Sequence, residues 1–128
     1  MKLPVLHPPA PGSREELQDL EQVIRQHKNP KVPTVLQKIC DEEMLSVFEM
    51  YLKGQDLPYD SDFHDRIHKG LGPIIISLKG HYGRDRPSVA AERHGILWKG
   101  DDLDSAKTPS YPSGHTIQAF VLVEQSHV

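Results

Sequence analysis

Cysteine is nearly absent from this chain of 128 residues: Cys40 stands alone, so no disulfide can close within it. A reducing compartment suits that composition without being required by it. Long apolar runs are also missing. Stretches such as Ile74-Ile75-Ile76 fall far short of the roughly 20 residues that cross a bilayer. The opening residues, Met1 to Pro9, include a lysine but no apolar core of the kind a secretory signal needs, so no signal peptide is expected and the compartment stays open. An excess of positive charge is lacking as well. The formal net charge of −3 removes any global attraction to nucleic acid or to an anionic membrane, and an anion would have to be held by a local cluster of cations. The mean hydropathy of −0.52, with 37% apolar and 26% charged residues, lies on the polar side of globular composition. That content still supports one core, so residues 1–128 are expected to form one domain.

What is present has helical periodicity and no strand-type alternation, which predicts an all-α fold. Residues 1–12 are rich in proline and read as an extended arm. Ser13 and Glu16 form an S-x-x-E capping box ahead of Leu17, Leu20 and Ile24, and Asn29-Pro30 ends that helix. A second helix is predicted from Thr34 to Lys53, with Val35, Ile39, Leu45, Phe48 and Leu52 as its stripe and Gly54 as its end signal. A third opens at Asp60 or Ser61. Its apolar face runs Phe63, Ile67, Leu71, Ile74, Leu78, Tyr82, and Pro73 predicts a bend. Residues 87–112 show no sustained period and read as a long, functional surface loop, marked by Asp101, Asp102 and Asp104. His115 to Gln125 is apolar nearly all round, so a centrally buried helix is expected.

Two short runs carry chemistry. In Lys79-Gly80-His81-Tyr82-Gly83-Arg84-Asp85-Arg86-Pro87, cations collect at the end of an apolar helix. Two helical turns would bring Lys79 and Arg86 to nearly the same face. Arginine grips phosphate through a planar fork and lysine acts as a compact charge. The plainer reading is a solvated basic helix end, favoured by the macrodipole. In Ser110-Tyr111-Pro112-Ser113-Gly114-His115-Thr116, a serine and a glycine precede an apolar helix. They present a hydroxyl and free N–H groups to an anion, and His115 can deliver a proton near neutral pH. The plainer reading is an N-cap at Ser113 with an incidental histidine.

Taken together, Lys-x6-Arg-Pro followed by Pro-Ser-Gly-His resembles the phosphatidic acid phosphatase type 2 superfamily. The wording is most similar to bacterial class A non-specific acid phosphatases, including Pro8-Pro9-Ala10-Pro11-Gly12-Ser13 near the start. The resemblance implies a helical bundle of the acid phosphatase and vanadium haloperoxidase type. It also implies metal-independent hydrolysis of small phosphate monoesters through a phosphohistidine, with no cofactor and with vanadate as a phosphate mimic. Lys79 and Arg86 would clamp the phosphoryl oxygens, Ser113 and Gly114 would complete the oxyanion cradle, and His115 would protonate the leaving group. Tyr82, Arg84 and His81 are candidate pocket residues. Family members are often periplasmic or secreted.

The family's third motif, an arginine followed by the nucleophilic histidine and its orienting aspartate, has no counterpart in these residues. His127 lies too near His115 to serve. The expectation is therefore a bundle incomplete at its C-terminus that binds phosphate and turns it over weakly or not at all. Alternatives are a vanadium-dependent haloperoxidase and a non-catalytic all-α binding module, with a second copy of the chain covering the last helix. His64 and His68, four apart, could share a metal, but no third ligand matches and both are expected at the surface. His81 and His94 flank the first motif. Trp98 is expected to pack half-buried.

Overall fold

The computed structural model describes residues 6–100 and 103–125, with Asp104 by its backbone alone; Asp101, Asp102 and His127 lie outside them, as does the start of the arm. Six α-helices and no strand occur among the described residues. The fold is all-α. The first helix, α1 (Arg14–Lys28), begins as its capping signal predicts, with Ser13 Oγ accepting from the Glu16 N–H at 3.1 Å. Glu16 does not complete the box. Its carboxylate turns inward and accepts from the Gly12 N–H at 3.0 Å, from Arg93 at 2.9 and 2.8 Å, and from His94 Nε2 at 2.9 Å.

The single helix predicted over Thr34–Lys53 is two helices, α2 (Thr34–Glu42) and α3 (Met44–Gly54), broken at Glu43 where φ is −131° and ψ 45°. Each half has its own partner. α2 packs on a 3-10 turn (Asp104–Lys107) and α3 packs on α4 (Ser61–Tyr82), which one straight rod could not do. Asp60 caps α4 through the Phe63 N–H at 3.0 Å, and the helix continues past Pro73. It ends where Gly83 takes φ 57°, a left-handed conformation open to glycine at little cost.

Residues 87–112 hold more structure than their lack of period suggested. Pro87, which cannot continue a helix, starts one here as a first-turn residue: α5 (Pro87–Arg93). Ala90 and Ala91 are small enough to let α5 lie close on α1, where they bury with Leu20 and pack Ile24, Ile96 and Trp98 around them. The last helix, α6 (Gly114–Gln125), packs on α4. It is not centrally buried. Leu122 is 1% exposed, whereas Phe120 and Val123 remain 66% and 45% exposed. No helix among the described residues is long and apolar enough to cross a membrane.

His64 also departs from expectation. It is buried rather than superficial, stacked on Tyr59 with ring centroids 4.8 Å apart and packed beside Phe48 and Phe63. An aromatic shell provides enough contact area to hold an imidazole inside, and His64 Nδ1 is satisfied by the Asp60 carbonyl at 2.7 Å. His68 is half-buried on the same helix.

Glu16 fastens α5 to the start of α1. Burial alone would raise its carboxyl pKa, but the Gly12 N–H, Arg93 and His94 together hold it below 4.5. A depressed carboxylate stabilises the fold above the unfolded value and loses that contribution as pH falls through the folded one. Replacement by glutamine, Glu16→Gln, is expected to cost on the order of 1–2 kcal/mol at neutral pH. Urea titrations at pH 7 and pH 3 check this, and the gap between wild type and variant should shrink at the lower pH.

Candidate anion-binding site

The last turn of α4 delivers Lys79 into the interior. The residue is 6% exposed, and its ammonium donates to the Pro109 carbonyl at 2.6 Å. Arg86 does not follow it up the same helix, because α4 stops at Tyr82 and the chain turns at Gly83. Arg86 instead arrives on extended backbone as the residue before α5, as its following proline requires. The two cations still converge, on one cavity of about 190 Å³ that Ser113, Gly114 and His115 also line.

A loop makes the remaining wall. Arg86 Nε donates to the Thr108 carbonyl at 2.6 Å, and Nη2 donates to the Ser105 carbonyl and to Thr108 Oγ1. Ser110 then joins the two motifs: its N–H donates to the Arg84 carbonyl at 2.9 Å and its hydroxyl to the Asp85 carbonyl at 2.9 Å. The Tyr111–Pro112 peptide is cis. Ser113 Oγ caps α6, accepting from the Thr116 N–H at 3.3 Å, so the plainer reading of that serine holds alongside its place in the cavity wall. Gly114 is needed for close packing, since a Cβ there would lie 3.2 Å from Ile75 and 3.8 Å from Lys79. This contact sets the N-terminus of α6, the positive end of its dipole, beside the two cations.

The electrostatics are uneven in a telling way. Neighbouring arginines are matched by carboxylates: Arg84 by Asp19 at 2.9 Å, and Arg93 by Glu16 and Asp85. Lys79 and Arg86 have only carbonyl and hydroxyl oxygens within hydrogen-bond reach among the described residues. Burial pulls the Lys79 ammonium below its ordinary 10.5, and Arg86 beside it adds to the effect. Burial likewise lowers Arg86, against an upward pull from Asp41.

Asp41 is the residue that pattern-reading missed. Its side chain is 6% exposed, with Oδ1 3.4 Å from His115 Nδ1 and Oδ2 accepting from the Ser105 N–H at 3.3 Å. One carboxylate on α2 thus lies beside the imidazole on α6 and bonds the loop that holds Arg86. The only sequence signal for it was a charged residue at a late position of an amphipathic helix. Of the other candidates, His81, Tyr82 and Arg84 line a different cavity with the arm, beside His7 and Pro8. His94 is occupied by Glu16. Among the described residues no three His, Cys, Asp or Glu side chains converge as metal ligands.

No family model matches this chain, and no curated protein or solved structure matches it either.

Removing the Asp41 carboxylate leaves the Ser105 N–H without its acceptor and the His115 ring unsupported. Asp41→Ala is expected to destabilise the fold by about 2 kcal/mol. It should also speed amide exchange at Ser105. Denaturant titration and hydrogen exchange measure the two effects.

Proposed function

We propose that this chain is an acid-phosphatase-like, phosphate-binding protein of the phosphatidic acid phosphatase type 2 kind, with a bundle of the acid phosphatase and haloperoxidase type. One observation carries the reading: Lys79, buried, and Arg86, half-buried, converge on one small cavity with no carboxylate in hydrogen-bond reach among the described residues, while the arginines beside them are paired. Among the described residues, two fixed cations against the carboxylate of Asp41 leave a net positive concavity with room for a tetrahedral anion. The N-terminus of α6 adds N–H donors and a favourable dipole.

The chemistry follows from those positions. Arg86 and Lys79 neutralise phosphoryl oxygens, and the α6 N-terminus with Ser113 supports the charge that builds as the ester bond breaks. His115, steadied by Asp41, protonates the departing alkoxide. A histidine nucleophile of the family's third motif is not found among these 128 residues, so tight binding with weak or absent turnover is proposed for them. The ligands are inorganic phosphate and small phosphate monoesters, with vanadate as mimic.

Isothermal titration with inorganic phosphate and with vanadate tests this. Both should bind, and Arg86→Ala or Lys79→Ala should weaken binding at least about tenfold, the scale of a lost charge-assisted contact. Undetectable binding, or binding indifferent to both substitutions, would contradict the proposal. The pH dependence has a defined sign. Because the Lys79 pKa is lowered, phosphate affinity should fall as pH rises through a value below 10.5. For stability the sign is opposite: the unfolded chain holds that proton more firmly, so folding gains as pH climbs from the lowered value to 10.5.

A further inference from the structure

The two halves of the cradle meet a third segment that lies outside it. Tyr82 ends α4 three residues after Lys79, and Tyr111 stands two residues before Ser113. Their rings touch edge to face, with centroids 5.0 Å apart and planes at 81°. The proline-rich arm closes on this pair. His7 meets Tyr82 edge-on at 6.0 Å, and Tyr111 Oη donates to the Leu6 carbonyl at 2.5 Å. At its other end the arm is anchored to α1: the Ser13 N–H donates to the Ala10 carbonyl at 3.1 Å, and the Gly12 N–H to Glu16 at 3.0 Å. Between these anchors Pro8 and Pro9 lie half-buried along a cavity of about 310 Å³ that Tyr82 and Arg84 also line. Pro8, Pro9 and Pro11 each fix a backbone torsion, so the segment loses little freedom when it is held across the surface.

Resting on the phosphate reading above, we infer that residues 6–12 are a strap that holds the cradle wall of Ser113, Gly114 and His115 against the end of α4, with Tyr111 as the positioning residue through which it acts. Ser110 ties the second motif to the first at one point, through the carbonyls of Arg84 and Asp85. A single point of attachment leaves the following residues free to pivot. The Tyr111 ring, held by the Tyr82 ring and by the Leu6 carbonyl, supplies a second point from which Ser113 is aimed. Small displacements matter at such a wall, because contacts to an oxyanion depend steeply on position. The bond to Leu6 is exposed to solvent, so its loss weakens the site without abolishing it. The coupling is also reciprocal: an arm that favours the phosphate-binding arrangement is itself held more firmly once phosphate is bound.

Inorganic phosphate is titrated into the full chain by calorimetry, and the His7 ring protons are followed by NMR over the same range at fixed pH and ionic strength. Tyr111→Phe removes the donor to Leu6 and keeps the ring beside Tyr82. Pro8→Gly/Pro9→Gly loosens the arm and alters no residue of the cradle. Both variants, shown to be folded by circular dichroism, are expected to bind phosphate about threefold more weakly, the scale of an exposed hydrogen bond. Combining them should add little to either alone, because the same strap is released. In the wild type the His7 resonances should move with phosphate and saturate at the calorimetric affinity, whereas a bond that merely supports the fold would leave them indifferent. If inorganic phosphate fails to bind the wild type, the cradle reading fails and the inference falls with it. If phosphate binds but either variant matches the wild type, or His7 does not respond, the strap is overturned and the cradle stands.

Discussion

A half-buried arginine needs acceptors, and Arg86 finds them in the carbonyls of Ser105 and Thr108. Lys79 likewise holds the carbonyl of Pro109, immediately before the run at 110–116. Much of the local architecture serves this arrangement. Gly83 turns the chain out of α4, Pro87 starts α5 immediately after Arg86, and Ser110 bonds back to the carbonyls of Arg84 and Asp85. Carbonyl dipoles satisfy hydrogen-bond donors without cancelling their charge. The loop's carbonyls therefore orient both cations without neutralising them.

Preorganisation of that kind matters more for phosphoryl transfer than covalent machinery does, because the group in flight is stabilised mainly by positioned charge. Asp41 shows how few side chains are needed to couple the parts. A single carboxylate lies beside His115 and bonds the loop, and it also lies in the field of Arg86. Away from the site, Glu16 fixes α5 to α1 and so sets the backbone from which Arg86 projects.

Helix type and most helix positions were legible in the sequence because apolar residues recur at helical steps around clear caps, as at Ser13 and Asp60. Elements set by tertiary partners were not. The break at Glu43 has no glycine or proline to announce it and follows from α2 and α3 packing on different neighbours. α5 was hidden because seven residues are too few to display a period, and its alanines read as neutral. His64 was misplaced for a related reason: the aromatic shell that buries it comes from Tyr59 and Phe48, across a turn and a helix. Among site residues, Lys79, Arg86, Ser113, Gly114 and His115 were visible as local runs. Asp41 was not, since its partners lie more than sixty residues away, and the loop carbonyls that hold the cations belong to backbone that any sequence would possess.

Whether the two motifs fold into one oxyanion site is decided most directly by crystals of the protein soaked in tungstate, a heavy tetrahedral analogue of phosphate. An anomalous peak is expected in the cavity bounded by Lys79, Arg86 and the N-terminus of α6, within hydrogen-bond reach of both cations. An empty cavity beside a peak at Arg84 or Arg93, or no bound tungstate at all, would contradict a phosphate cradle at this place.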